Sequence, residues 1–386
     1  MDERFSLSPD SRLLTPSAPG MEAIVAALRD GASLRASQSS PADPIRRCDT
    51  DRPALFCETS GSSGAAKVIR RRPESWRRSF EVNREAFTLG TEDRYACFGH
   101  LGHSLTLYAV LEALHLGADI ACLTGLLPKR QIIAVQEMAI TVIYATPSQL
   151  QLLTRGAEAA GIDTLPGVRR VFCGGGKLDP ALRQALARLV PGAEVREFFG
   201  ASETSFITIS DAATPPGSVG RAYPGVELRI EGDETGTGEI WVRSPYLFEG
   251  YAEGGSDYTS WDGAWLSIGE MGRLDDSGQL FLRGRKQRMV TVADRNVFPE
   301  EIEQVIGARD DVAACAAIPE PDPLRGHCIH CFIHGTAPEP DLRRACRDRL
   351  GPHAVPHRFT YLDKLPLLPA GKPDLQALHA LAGVPK

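Results

Sequence analysis

The chain has 386 residues, 42% of them hydrophobic, and 43 Lys and Arg against 49 Asp and Glu give a net charge of −6. That length accommodates two domains with sizeable cores, and the slight acidic excess points away from a nucleic-acid or membrane-surface protein. Nine cysteines, an odd number without regular spacing, fit a reducing cytoplasm better than a disulfide framework. No apolar run reaches the ~18 residues of a membrane span, and Met1-Asp2-Glu3-Arg4 lacks a signal-peptide pattern.

Residues 1 to about 50 are rich in Ser, Pro and Asp, with one helical stretch at Met21–Arg29. The apolar run Ala54-Leu55-Phe56-Cys57 then reads as a buried strand. It leads into Thr59-Ser60-Gly61-Ser62-Ser63-Gly64-Ala65-Ala66-Lys67. Close backbone N–H groups, hydroxyls and a lysine are what a polyphosphate needs; a flexible linker is the other meaning of a Gly/Ser run. The spacing is not that of a Walker A loop, because residue 66 is alanine and no Ser or Thr follows Lys67. The cluster Arg70-Arg71-Arg72, followed by Pro73-Glu74, reads as a solvated helix start.

From 54 to 200, strands at 54–58, 95–99, 118–123, 141–145, 169–173 and 194–199 alternate with helical segments. The helices are Pro73–Phe87, Ser104–Leu116, Lys129–Met138, Ser148–Ala160 and Pro180–Leu189. This alternation predicts a parallel α/β sheet. Short β-rich runs follow from 205 to 285, where Gly238–Pro245, closing at Gly250-Tyr251, reads as a hairpin. The last hundred residues predict a small α+β domain, with helices Pro299–Gly307 and Glu339–Leu350 and strands at 312–318 and 327–334. Cys328 and Cys331 have a CxxC spacing, but the run around them reads as a strand that puts Cys328 and His330 on one side and Cys331 on the other. No second CxxC completes a tetrahedral zinc set.

The Thr59–Lys67 tract is followed in order by Phe198-Phe199-Gly200-Ala201-Ser202-Glu203-Thr204, Gly238–Pro245, Trp265–Arg273, Gly284-Arg285, Asn296-Val297-Phe298-Pro299-Glu300-Glu301-Ile302-Glu303 and Leu365–Asp374. In that order over residues 54–378 the chain resembles the adenylate-forming superfamily of acyl- and aryl-CoA synthetases, peptide-synthetase adenylation domains and luciferases. The resemblance implies a large domain at 1–284 with a parallel α/β sheet and a β-rich subdomain, which binds ATP and a carboxylate. It also implies a small mobile α+β domain at 285–386 that swings between two half-reactions. The segment before the phosphate loop is shorter than in most members, so an N-terminal subdomain is expected to be largely missing.

Carried over by that resemblance, Thr59, Ser60, Gly61, Ser62, Ser63, Gly64 and Lys67 cover the β- and γ-phosphates of ATP. Gly174-Gly175-Gly176 lies against the adenine and the acyl pocket. Phe199 stands for an adenine-stacking tyrosine, with Gly200 beside it. Ser202 stands for a threonine, and Glu203 for the acid that holds Mg²⁺ on the phosphates. Glu270 occupies the place of the aspartate that grips the ribose hydroxyls. Arg285 matches the arginine at the domain boundary, and Gln287 falls at the hinge. Lys372, in Pro369-Ala370-Gly371-Lys372-Pro373-Asp374, contacts the attacking carboxylate and the bridging oxygen, where a cation offsets charge that builds in the transition state. His103, or His100 three residues earlier, lines the acyl pocket, whose shape depends on the side chains around Leu105, Tyr108, Gly174 and Phe206.

The expected activity is AMP-forming ligation. A non-amino-acid carboxylate is activated as an acyl-adenylate and passed to the pantetheine thiol of CoA or of an acyl carrier protein. No Phe-Asp pair of the kind that receives an amino-acid amine is present. Where the family usually has glycines before the Asn-Val motif, this chain has Val292-Ala293-Asp294-Arg295, whose side chains could narrow the pantetheine channel. An enzyme with an amine acceptor and a degenerate nucleotide- or acyl-binding sensor are the rival readings.

Overall fold

The computed structural model describes residues 4–14, 18–59, 67–232, 236–368 and 373–383. The alternating segment forms the centre of a seven-stranded sheet, in the order Arg221–Ala222, Ser205–Ile209, Glu194–Ala201, Arg170–Cys173, Val142–Ala145, Arg94–Cys97, Asp119–Cys122. The five strands from Glu194–Ala201 to Asp119–Cys122 run parallel; Ser205–Ile209 and Arg221–Ala222 are added antiparallel. Asp119–Cys122 and Val142–Ala145 are buried at every residue, as expected of strands covered on both faces.

Local chemistry sets where the intervening helices begin and end. Pro73–Phe87, Pro128–Glu137, Pro147–Ala160 and Pro180–Leu189 all open on a proline, whose missing N–H is unused at that position. Thr146 and Gln149 close a reciprocal capping box on the third of them. Ile132, Val135, Leu150, Leu153, Leu182 and Leu186 from these helices pack on Ile143 and Val171 of the sheet.

Three expectations are corrected here. The strand Leu55–Thr59 is not part of the parallel sheet. It pairs antiparallel with a second strand, Lys67–Arg71, from Leu55↔Arg71 to Thr59↔Lys67, inside a separate five-stranded sheet ordered Gly250–Glu253, Lys67–Arg71, Leu55–Thr59, Ser33–Ala36, Ile45–Cys48. Arg70 and Arg71 are therefore strand residues, not a solvated helix start, and Arg71 is 0% exposed. Likewise Gly250–Glu253 does not close a hairpin on Gly238–Arg243. It pairs with Lys67–Arg71 through Gly250↔Arg70 and Tyr251↔Ile69.

The chain forms two compact units: Met1–Arg229 with Trp241–Leu266 and Asp275–Leu280, and Ile230–Ile240 with Ser267–Leu274 and Phe281–Lys386. The second unit contains a sheet in the order Arg295–Val297, Val290–Val292, Gly326–Gly335, Val312–Asp322, with Arg358–Tyr361 parallel to Gly326–Gly335. Pro299–Gly307 and Glu339–Leu350 are helices with the expected bounds. Side chains of Gly326–Gly335 alternate as a strand requires. Ile329, Cys331 and Ile333 enter one core, and Phe332 joins Ile318, Leu365 and Leu378 in another.

Candidate active site

The strand Glu194–Ala201 reverses into Ser205–Ile209 through a turn that carries Ser202 and Glu203. Only glycine fits at 200, because a Cβ there would lie 1.8 Å from the Ser205 carbonyl oxygen. Thr204 is fully buried, and its hydroxyl accepts the Ala201 N–H at 3.0 Å, closing the turn. The Ser202 hydroxyl meets that of Ser104, the first residue of the helix Ser104–Leu116, at 2.9 Å.

Glu203 is clamped from the segment 246–251. The Phe248 N–H donates to the Glu203 carbonyl at 2.8 Å, and the Tyr251 hydroxyl donates to the Glu203 carboxylate at 2.9 Å. Burial, then the neighbouring Glu203 charge, push the Tyr251 hydroxyl well above its ordinary pKa, so it stays a donor. The Lys67 ammonium lies over the Tyr251 ring, 5.8 Å from its centroid, a cation–π distance. Thr59 and Lys67 are paired across the hairpin. Both ends of the Gly/Ser loop therefore stand on adjacent strands, the Lys67 end beside Tyr251.

His103 precedes Ser104 as the extended residue before the helix. Burial, with a smaller push from His100, lowers its pKa, which keeps the imidazole neutral near pH 7. Both nitrogens of His100 are engaged by its own neighbourhood: Nε2 meets the Pro41 carbonyl and Nδ1 meets the Gly102 N–H, each at 3.1 Å. The ring centroids of the two histidines are 6.2 Å apart.

Gly174 follows the strand Arg170–Cys173, and a Cβ there would come within 2.2 Å of the Phe198 ring. Gly175 has φ of 82°, which glycine adopts without strain, and Gly176 lies near Pro147. Phe198 turns inward against Phe206 at 4.7 Å; Phe199, the next residue, is half-buried. Tyr108 and Phe206 pack edge-to-face at 5.2 Å and are both buried. The Tyr108 hydroxyl meets Ser79 Oγ at 2.8 Å and the Asn83 amide at 3.2 Å.

In the second unit, Arg285 Nε donates to the Glu270 carboxylate at 3.0 Å. The chain then folds tightly, with the Arg288 and Met289 N–H groups donating to the Arg285 carbonyl at 2.9 and 3.1 Å. Gln287 lies inside that turn. Ser60, Gly61, Ser62, Ser63, Gly64 and Lys372 lie outside the described residues. Arg71 is the residue that sequence reasoning missed: its guanidinium donates to the Ser202 carbonyl. The available signal was its place in an antiparallel partner to 55–59, two positions after buried Ile69.

A mainly parallel sheet whose acid-bearing turn is hydrogen-bonded to Tyr251, itself beneath Lys67, together with a small α+β unit, is the plan of adenylate-forming enzymes. The chain belongs to the AMP-binding enzyme family: that family's model matches residues 12–252, and the model of the AMP-binding enzyme C-terminal domain matches 301–372. It is 30% identical over 340 residues to the uncharacterized acyl-CoA ligase YhfT of Bacillus subtilis, covering 86% of this chain and 69% of that one. It is 26% identical to the 2-succinylbenzoate–CoA ligase of Lactococcus lactis, covering 83% and 69%. Among solved structures, the amide bond synthetase McbA from Marinactinospora thermotolerans superposes with a TM-score of 0.75 at 25% identity, covering 94% and 78%. The o-succinylbenzoate CoA synthetase MenE from Bacillus subtilis, with its acyl-adenylate intermediate, shares the fold at a TM-score of 0.75 and 21% identity, covering 95% and 82%.

Proposed function

We propose that this protein is an ATP-dependent, AMP-forming ligase that activates a small non-amino-acid carboxylate, alkyl or aryl, and transfers it to a pantetheine thiol of CoA or of an acyl carrier protein. The clamped Glu203 turn beside Lys67 and Tyr251 is the observation that carries this reading. The names of the acyl-CoA and 2-succinylbenzoate–CoA ligase relatives support it. In the first half-reaction a carboxylate oxygen attacks the α-phosphorus of ATP and pyrophosphate leaves. In the second, the thiolate attacks the acyl carbon and AMP leaves. Splitting the condensation at a mixed anhydride replaces one hard step with two easier ones.

In this reading Thr59 to Gly64 and Lys67 receive the β- and γ-phosphates. Gly174–Gly176, Phe199 and Gly200 flank the adenine, and Glu270 with Arg285 takes the ribose. His103, whose neutral imidazole forms no hydrogen bond among the described residues, is the better candidate of the two histidines to face the acyl group, with Tyr108 and Phe206 behind. Lys372 supplies the cation beside the attacking carboxylate. The domain boundary is placed at 284/285, with the hinge at Gln287.

Among the described residues no three His, Cys, Asp or Glu side chains gather to cage a metal. A single carboxylate sharing the ion with phosphate oxygens is how Mg²⁺ is commonly held, and Glu203, oriented by Tyr251, fits that part. Bound there, Mg²⁺ would neutralise phosphate charge. A cytoplasmic location belongs to the same proposal and is supported by nine free cysteines. Among the described residues no helix is long and apolar enough to cross a membrane.

A second reading, amide formation with an amine acceptor, is favoured by the likeness to the amide bond synthetase. The deciding experiment measures pyrophosphate release from ATP and Mg²⁺ with a panel of aliphatic and aromatic acids, with hydroxylamine as trap. Products are then analysed with CoA, carrier protein and amines. Release with one acid class, and a thioester as product, is the expected result. An amide as the sole product would select the second reading, and no release with any acid would defeat both.

A further inference from the structure

Arg71 is a buried cation held without a direct ion pair among the described residues. Its guanidinium is wholly enclosed. Its hydrogen bonds run instead to neutral groups: Nη1 donates to Ser75 Oγ and to the Tyr246 carbonyl, each at 2.9 Å, and Nη2 donates to the Ser202 carbonyl. Its Nε has no acceptor among the described residues. Burial lowers its pKa to about 10, with Cys57, Glu203 and Tyr108 opposing that shift, so it is charged at neutral pH. Burying an unpaired charge costs free energy that packing alone does not return.

The two carbonyls it grips are not equivalent to any others in the fold. Ser202 immediately precedes Glu203. Tyr246 opens the segment whose Phe248 N–H and Tyr251 hydroxyl hold the Glu203 carbonyl and carboxylate. Trp76 completes the enclosure: its ring lies 4.9 Å from the guanidinium, and its Nε1 donates to Ser205 Oγ at 2.9 Å. Ser205 Oγ in turn donates to the same Tyr246 carbonyl at 3.1 Å. One side chain therefore staples both segments that fix the acid.

We propose that Arg71 is a positioning residue for adenylation: by holding the carbonyls of Ser202 and Tyr246 it aligns the Glu203 carboxylate toward the nucleotide phosphates. This deepens the reading of Glu203 given above and rests on it. A guanidinium is required because its planar fork reaches acceptors in diverging directions at once, which an ammonium on a flexible stem does less well.

The test compares Arg71→Lys, Arg71→Met and Ser75→Ala with wild type. Each is first checked by circular dichroism and thermal melting. Calorimetry then measures binding of ATP with and without Mg²⁺, and steady-state kinetics separates kcat from the KM of the acid. Arg71→Met is expected to lose the Mg²⁺-dependent gain in ATP affinity and to lower kcat on the order of 100-fold, with the KM of the acid little changed. Arg71→Lys is expected to recover part of both, and Ser75→Ala to show a smaller loss in the same direction. A folded Arg71→Met protein with wild-type kcat and Mg²⁺ dependence overturns the proposal. Equal weakening of ATP binding with and without the metal does the same, since a general structural defect would produce it. Where Arg71→Met fails to fold, the other two variants decide on the same criteria. A wild-type protein that turns over no acid would defeat the ligase reading, while the metal-dependent binding difference would still judge Arg71.

Discussion

Glu112 is fully buried and accepts hydrogen bonds from the Asn83 amide and the Tyr144 hydroxyl, each at 2.7 Å. Burial raises its pKa to about 7 despite those donors, which pull the other way. The folded chain therefore keeps the proton at a pH where the unfolded chain has released it. The stability gained from this is fully present below the ordinary glutamate pKa of about 4.3 and is lost as pH rises through about 7, by about 4 kcal/mol at most. Glu112→Gln removes the titration while keeping a side chain of the same shape. Denaturant unfolding at pH 5 and pH 7.5 is expected to show a smaller loss in the variant; equal losses would sink the account. Glu203 is half-buried and stands in the turn after Glu194–Ala201. Glu203→Gln keeps the Tyr251 hydrogen bond but discards the charge, so turnover is expected to fall and to need more Mg²⁺. An unchanged metal titration would remove Glu203 from that role. Of these two acids only Glu203 was legible in the sequence, through the family resemblance that Phe198–Thr204 carries. Glu112 sits in an apolar helix, and nothing local signals that Asn83 and Tyr144 arrive around it.

At the scale of elements, the departure at Ala293-Asp294 has a backbone cost. These two residues join the strands Val290–Val292 and Arg295–Val297, with φ of 47° and 60°, the two-residue hairpin geometry that favours Asn-Gly. A side chain in that left-handed region costs about 1 kcal/mol, most for alanine, which has no polar atom to bond locally. Ala293→Asn is expected to raise the unfolding midpoint, and a midpoint equal to or below wild type would refute the strain. Ala293→Gly with Asp294→Gly tests the narrowed pantetheine channel as well: faster thioester formation at constant adenylation is the expected result, and an unchanged thiolation rate would dispose of it. Elements defined by local chemistry were readable in advance. Pro73–Phe87, Ser104–Leu116 and Pro299–Gly307 have the bounds the sequence predicts, because proline starts and apolar periodicity are local signals. The strand Lys67–Arg71 was not, because a Gly/Ser loop precedes it and three arginines in a row read as solvated. Its burial is a tertiary fact, made by Leu55–Thr59 on one side and Gly250–Glu253 on the other.

For the whole molecule, the proposed chemistry demands that one chain perform two reactions with different charge requirements. Adenylation brings a carboxylate toward phosphates and needs a cation between them; thioester formation releases AMP from a mixed anhydride and does not. Lys372, at the end of the segment matched by the C-terminal family model, is the residue assigned to the first need alone. Lys372→Ala is therefore expected to lower pyrophosphate release by about 100- to 1000-fold, the usual loss when one preorganised electrostatic contact is removed, while ATP still binds. Supplied with chemically prepared acyl-adenylate and CoA, the same variant is expected to form thioester at close to the wild-type rate. Equal loss of both half-reactions would mean that Lys372 does not separate them. Retained pyrophosphate release would remove it from the chemistry altogether.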